Sequence, residues 1–170
     1  MEVAFRSEQP ADRGRIHGVH ARSFPTDAEA RLVSSLRANG ALLLSLVAVV
    51  DGEVVGHIAF SRVTVESSEH IAHGVGLAPM AVTPGYRGQG IGGLLIRAGL
   101  DQLRRDGEPF CVVLGHASYY PRHGFERAST RGLRWERPAP EASFFVQELA
   151  PGGLQGVSGI VRYRRELDEL

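Results

Sequence analysis

The stretch Leu77-Ala78-Pro79-Met80-Ala81-Val82-Thr83-Pro84-Gly85-Tyr86-Arg87-Gly88-Gln89-Gly90-Ile91-Gly92 decides how this chain is read. An apolar run ends at Val82 and a glycine-rich turn follows. Ile91, Leu94, Leu95, Ala98 and Leu103 then form one face of a long helix, with Arg97, Asp101, Gln102 and Arg104 on the other. The first N–H groups of a helix lack internal partners and carry partial positive charge. Glycines let a ligand approach that backbone closely, so strand, turn and helix together make an anion cradle suited to a pyrophosphate. The same glycines could instead serve only to make a tight turn.

The flanking segments supply the rest of an α/β domain. Glu2 to Arg6 reads as a first strand, and Pro10 suits the start of a helix bearing Ile16, Val19, His20 and Phe24. Thr26-Asp27-Ala28-Glu29 reads as a capping box for a second helix with Leu32, Val33 and Leu36 on its apolar face, ended by Asn39-Gly40. Leu42 to Val50 and Glu53 to Phe60 flank Asp51-Gly52, a strong hairpin signal, and the second run can continue to Val65. After a polar turn at Ser67 to His70, Gly74 to Val82 is a fourth strand. Pro79 cannot donate to a ladder and predicts a bulge or an unpaired edge there. Gly107 and Pro109 close the long helix. Phe110 to Leu114 is a buried strand, Ser118 to His123 a short helix, and Phe144 to Leu149 a further strand.

Composition narrows the class. With 170 residues the chain is long enough for one core and one domain over residues 1–170. Hydrophobic residues make up 43% and charged residues 22%, as in ordinary globular proteins. Lys+Arg and Asp+Glu are 19 each, so no net charge favours nucleic acid or an anionic membrane surface as partner. Zero net charge lowers colloidal repulsion and leaves a homodimer open. The lone Cys111 cannot form an internal disulfide, and no leader or bilayer-length apolar run is present, which together predict a cytoplasmic protein.

Two decoys share the glycine turn. Gly88, Gly90 and Gly93 fit G-x-G-x-x-G, with Glu108 near the spacing of a ribose-binding acid. A dinucleotide turn, however, follows its strand directly within a βαβ unit, and its acid ends the next strand. Here Thr83 to Arg87 intervene, antiparallel strands come first, and Glu108 precedes the strand. A P-loop ends in Gly-Lys-Ser/Thr, which Gly92-Gly93-Leu94 does not supply.

Arg87-x-x-Gly90-x-Gly92 resembles the acyl-CoA signature Q/R-x-x-G-x-G/A of the GNAT acetyltransferase superfamily, and Tyr120-x-x-x-Gly124-Phe125 resembles its Y-x-x-x-G-F after the fifth strand. The element order from Glu2 to Leu149 is similar too. Segments such as Val55-Gly56-His57-Ile58-Ala59-Phe60 and Val113-Leu114-Gly115-His116 look most like a bacterial subgroup of predicted N-acetyltransferases. The resemblance implies a mixed, mostly antiparallel twisted sheet flanked by helices, with the fourth and fifth strands splayed apart. It implies acetyl-CoA as cosubstrate, no metal, and a small-molecule or peptide amine as acceptor.

The resemblance also assigns roles. The backbone of Met80, Ala81 and Val82 would pair with the pantetheine arm, and the turn N–H groups of Arg87, Gly88, Gln89, Gly90, Ile91 and Gly92 would hold the pyrophosphate. Tyr120 would protonate the departing thiolate. Several members carry a glutamate base four residues before the Met80 position, where this chain has Gly76. The base must therefore come from elsewhere or from water. His116 ends the fifth strand and is either a surface residue or a proton relay; His73 is a second histidine candidate. His17-x-x-His20 and His70-x-x-His73 lack further ligands for zinc. Cys111 reads as a small core residue. A non-catalytic acyl-CoA sensor would keep the glycine turn without turnover.

Overall fold

In the computed structural model, which describes residues 1–170, the chain forms two compact units: Met1–Ser61, Ala78–Gly99 and Arg165–Leu170 in one, Arg62–Leu77 and Leu100–Arg164 in the other. In the first unit, β1 (Ala4–Ser7) pairs antiparallel with β2 (Leu44–Val50), and β2 with β3 (Glu53–Glu66). The β2–β3 turn is Asp51 (φ 50°) and Gly52 (φ 78°), the two left-handed residues a two-residue hairpin needs. The register shifts between Ala48 and Val49, so Val49 faces Val54 while Ala48 faces Gly56. Val55 is the extra residue of this bulge.

The bulge sorts the faces of the hairpin. Helices α1 (Arg13–Ser23) and α2 (Ala28–Ala38) send Ile16, Val19 and Val33 into a cluster with Val47, Val54 and Ala81. Val47 pairs with His57, which lies on that same face. Ala48 and Gly56 point the other way, where a Cβ on Gly56 would stand 3.1 Å from Leu95 of α3 (Ile91–Arg105). Strand β4 (Ile71–Val82) ends beside β3, with Thr83 N–H donating to the Val55 carbonyl at 2.8 Å.

The second unit holds the remaining strands. β5 (Phe110–Leu114) runs parallel to β4 over Val75–Leu77 only; the pairing stops before Pro79, which has no N–H to give. β5 pairs antiparallel with β8 (Phe144–Glu148), and β8 with β6 (Glu126–Arg127). The far half of β3 pairs with β9 (Gly159–Tyr163), which is parallel to β7 (Leu133–Trp135). The strand order is β1-β2-β3-β4-β5-β8-β6, with β9 on β3 and β7 on β9. No helix is long and apolar enough to cross a membrane.

Several expectations need correction. The first strand lies at Ala4–Ser7 rather than Glu2 to Arg6. The capping box at Thr26–Glu29 does not form. The helix is preceded by Asp27 without a side-chain cap, Thr26 Oγ1 accepts only the N–H of Ala28 at 3.3 Å, and Glu29 Oε1 is buried without a partner. Leu94 is 45% exposed, and Ile96 and Leu100 take its place in the core, because the buried stripe of α3 is rotated from the one read in sequence. The short helix after β5 is a 3₁₀ turn at Tyr120–His123. Strands β6, β7 and β9 carried no strong sequence signal.

Gly99 of α3 lies against the Phe60 ring: a Cβ there would stand 2.5 Å from Cε2 and 2.6 Å from Cζ. Phe60 is fully buried and cannot swing away. Alanine would raise helix propensity by about 1 kcal/mol, whereas overpacking costs about 1–3 kcal/mol. Gly99→Ala should therefore destabilise the protein. A urea midpoint above wild type would show that Phe60 yields.

Candidate functional site

The end of β4 and the turn after it lie wholly within the first unit. Met80, Ala81 and Val82 close the strand, and a 3₁₀ turn at Pro84–Tyr86 follows, held by Tyr86 N–H on the Thr83 carbonyl at 2.8 Å. Gly88 (φ 76°) and Gly90 (φ 81°) are left-handed, and nothing lies within 4 Å of a Cβ built on either. Leu94 N–H on the Gly90 carbonyl, at 3.1 Å, closes the first helical bond, so the N–H groups of Ile91, Gly92 and Gly93 precede it. Arg87 ties the turn back on itself: its Nε donates to the Val82 carbonyl at 3.0 Å. Gln89 is exposed with Gly88 and Gly90. The result is an open arc of backbone donors at a helix start, with no side chain filling it.

The second motif lies in the other unit. Tyr120 opens its 3₁₀ turn, buried, with its N–H on the His116 carbonyl at 3.3 Å. Gly124 (φ 88°) reverses the chain so that the Phe125 ring returns edge-on to Tyr120, with centroids 5.8 Å apart. That reversal gives the spacing Tyr-x-x-x-Gly-Phe a physical cause. Gly115 has no room for a Cβ, because the Tyr120 ring lies against it. Burial, then the neighbouring Tyr119 and Cys111, push the phenol well up, so it stays protonated at neutral pH. Tyr119 is less buried and lies under the Arg122 guanidinium, 5.4 Å from its centroid.

The other candidates separate clearly. The His116 and His73 side chains are exposed. Burial pushes the Cys111 thiol far up, and the residue is a core atom set. Gly76 has no space for a carboxylate. A Cβ there would stand 2.5 Å from Tyr163 Cε2 and 2.7 Å from Val63 Cγ1, and Tyr163 is fixed by its hydroxyl, which donates to the Val112 carbonyl at 3.3 Å. No three His, Cys, Asp or Glu side chains converge in a way that could hold a metal ion.

The acetyltransferase (GNAT) domain family model matches residues 43–127. Escherichia coli K12 has an uncharacterized N-acetyltransferase, YhbS, 43% identical over 167 residues that cover 98% of this chain and 99% of that one. The chain belongs to the GNAT acetyltransferase family. A second Escherichia coli K12 relative, the uncharacterized N-acetyltransferase YjhQ, is 43% identical over 153 residues, covering 85% and 83% of the two chains. Among solved structures, Escherichia coli YhbS in complex with CoA matches with a TM-score of 0.93 at 42% identity, covering 99% and 93%. A GNAT family acetyltransferase from Brucella melitensis in complex with acetyl-CoA matches at 0.80 and 37%, covering 98% and 99%. The mixed, mostly antiparallel sheet is the fold of this family.

This GNAT chain also carries a buried polar chain that sequence reading missed. Glu8 accepts Arg37 at 2.5 and 3.0 Å and the Ser45 hydroxyl at 2.5 Å. Ser45 Oγ lies 2.8 Å from His57 Nε2, and His57 Nδ1 lies 2.8 Å from His20 Nε2. His20 Nδ1 is buried and has no partner. The available signal was two histidines on apolar elements: His20 on the face of Ile16 and Val19, His57 between Val55 and Ile58. Burial raises the Glu8 carboxyl, but bonds from Arg37 and Ser45 and the charges of Arg37 and Arg13 outweigh it and leave it below its ordinary value.

Burial, then His17, lowers the His20 imidazole from 6.5 to about 4, and burial, His20 and Arg37 lower His57 well below 6.5. The unfolded chain therefore binds these protons first. Stability is complete above pH 6.5 and falls as pH drops through 6.5 towards about 4. His20 alone accounts for about 3 kcal/mol of that loss. Glu8 and Asp12, both held below their ordinary values, lose their contribution only at lower pH. Urea midpoints should fall between about pH 7 and about pH 5; a constant midpoint would mean the histidines are not buried neutral.

Proposed function

We propose that the chain binds acetyl-CoA along the end of β4 and the glycine turn, and transfers its acetyl group to a primary amine by direct attack in a ternary complex. The observation that carries this is the open arc at Gly88 and Gly90, two left-handed glycines with clear Cβ positions before the start of α3. An anion meets backbone N–H groups there without side-chain obstruction. The CoA and acetyl-CoA complexes of the YhbS and Brucella melitensis relatives support the same ligand for this chain. The backbone of Met80, Ala81 and Val82 holds the pantetheine arm, and Arg87, Gly88, Gln89, Gly90, Ile91 and Gly92 hold the pyrophosphate.

The amine nitrogen bonds to the thioester carbonyl carbon, the carbon–sulfur bond breaks, and Tyr120 gives its proton to the departing sulfur. A buried, protonated phenol suits that role, since it donates to charge that develops only as the bond breaks. His116, exposed two residues past β5, returns the proton from solvent. The test is acetyl-CoA consumption with a panel of polyamines, amino acids, aminoglycosides and peptide N-termini. Binding of acetyl-CoA without turnover on any of them would leave an acyl-CoA sensor instead.

Tyr120→Phe should lower kcat about a hundredfold and leave acetyl-CoA affinity unchanged, because the ring still packs on Phe125 while the O–H is lost. Tyr119→Phe should stay near wild type; the reverse ranking would move the acid to Tyr119. Gly90→Val should weaken acetyl-CoA binding by about tenfold or more in isothermal titration, roughly 1.4 kcal/mol. Part of the effect is backbone strain at φ 81°, so a melting curve must show the variant folded. Unchanged affinity would remove the turn from the site.

A further inference from the structure

The polar chain of the first unit has a direction. Glu8, ionised against Arg37, can only accept, so the Ser45 hydroxyl donates to it. Ser45 Oγ then accepts from His57, which puts the His57 proton on Nε2 and leaves Nδ1 as an acceptor. His20 must donate to that nitrogen from Nε2. Both tautomers are therefore fixed from Glu8 outward, and the chain ends in a bare lone pair on His20 Nδ1, the one buried nitrogen of the series without a partner. A buried acceptor left unpaired costs about 1–3 kcal/mol. Such an atom has a lone pair free for a donor that the protein does not itself supply.

The position is informative as well. Val19, the residue before His20, packs with Ala81 of β4. One turn on, Ser23 Oγ donates to the Val82 carbonyl at 3.4 Å, and the Arg87 guanidinium reaches the Ser23 carbonyl at 3.5 Å. His20 thus belongs to the helix end that holds the last residues of β4 and the first of the glycine turn. Phe24 stacks on its ring with centroids 6.1 Å apart.

We propose that His20 Nδ1 accepts the proton of the attacking amine, directly or through one water, and that His57, Ser45 and Glu8 hold it in that role. This rests on the acetyl-transfer reading above. As the carbon–nitrogen bond forms, the amine N–H becomes acidic and its proton passes to Nδ1; Tyr120 supplies the sulfur, so each proton has one donor and one acceptor. The positive charge is shared across the His20–His57 pair and opposed by Glu8 through Ser45. His17 and Arg37 are the cationic or titratable groups that oppose it. A weakly basic imidazole is adequate here: the base must be unprotonated at neutral pH, and the N–H it meets is acidic only during attack.

His20→Gln separates this role from packing, because the Gln amide can still donate to His57 Nδ1 while nothing basic remains at the Nδ1 position. With an amine that wild type accepts, kcat should fall about a hundredfold with KM for acetyl-CoA unchanged. It should also rise about tenfold per pH unit, as hydroxide takes over, where wild-type kcat is flat. Ser45→Ala should give a smaller loss with the same trend. Ring ¹⁵N spectra of the full chain should show both His20 and His57 protonated on Nε2 at neutral pH, assigned with the His20→Gln spectrum. A His20→Gln enzyme with wild-type kcat and pH profile overturns the proton-acceptor role, and a proton on His20 Nδ1 overturns the direction of the chain. If wild type acetylates no amine of the panel, the transfer reading falls and takes the role with it, while the tautomers still report on the wire alone.

Discussion

A single extra residue in β3 governs the first unit. The bulge at Val55 makes Val54 and His57, three positions apart, lie on one face of the hairpin, whereas unbroken alternation would oppose them. Val54 therefore joins the apolar cluster under α1 while His57 meets His20 of the same helix. Gly56 is turned to α3, where only a hydrogen fits comfortably between Leu95 and Ala48. The same irregularity leaves Val55 without a partner in β2, and its carbonyl receives Thr83 N–H as β4 gives way to the glycine turn. One insertion thus sets both the buried polar chain and the anchor of the turn. If Val55 were instead paired in an unbroken strand, every residue from Gly56 onward would exchange faces and His57 would turn towards α3.

What could be read in advance was local. Asp51-Gly52 forces a hairpin because both residues need positive φ, and Gly107 ends α3 because its left-handed backbone lets Gly107 and Glu108 donate to the Arg104 and Leu103 carbonyls. The glycine turn was legible for the same reason, whereas the Tyr-x-x-x-Gly-Phe motif was read only through its family resemblance, and the left-handed Gly124 of the structure gives it a physical cause. What stayed hidden was set by partners distant in sequence. β9 is five residues long and earns its place by pairing with the far half of β3, almost a hundred positions away, as in Thr64 with Arg162. The capping box failed because a matching pattern does not fix where the helix begins. The contact between the two histidines was hidden because the bulge that brings them together leaves no mark in the spacing.

β9 also explains why this chain departs from the glutamate pattern at position 76. Its Tyr163 ring occupies the space a side chain on Gly76 would need, alongside Val63, and its hydroxyl is committed to the Val112 carbonyl of β5. Tyr163 is itself buried, and burial pushes its phenol far up, so it cannot stand in as a base. A carboxylate at 76 would have to displace an aromatic ring of the core, and overpacking of that kind costs about 1–3 kcal/mol before the further cost of burying the charge. The loss is therefore built into the packing and is not a point change that one substitution could reverse.

The two ends of the proposed chemistry are consequently built by different means. Tyr120 is held by shape: Gly115 admits its ring, Gly124 returns Phe125 to it, and Phe145 closes a third side at 6.2 Å. Its environment is apolar, which keeps the phenol neutral and its proton available. His20 is held by polarity, through a series of donors whose direction is fixed by an ionised carboxylate two side chains away. A proton donor benefits from an environment that disfavours its anion, and a proton acceptor from one that can answer a cation. The apolar cage meets the first demand; the second is met only by the anion at the far end of the chain, Glu8, against burial that lowers His20 to about 4.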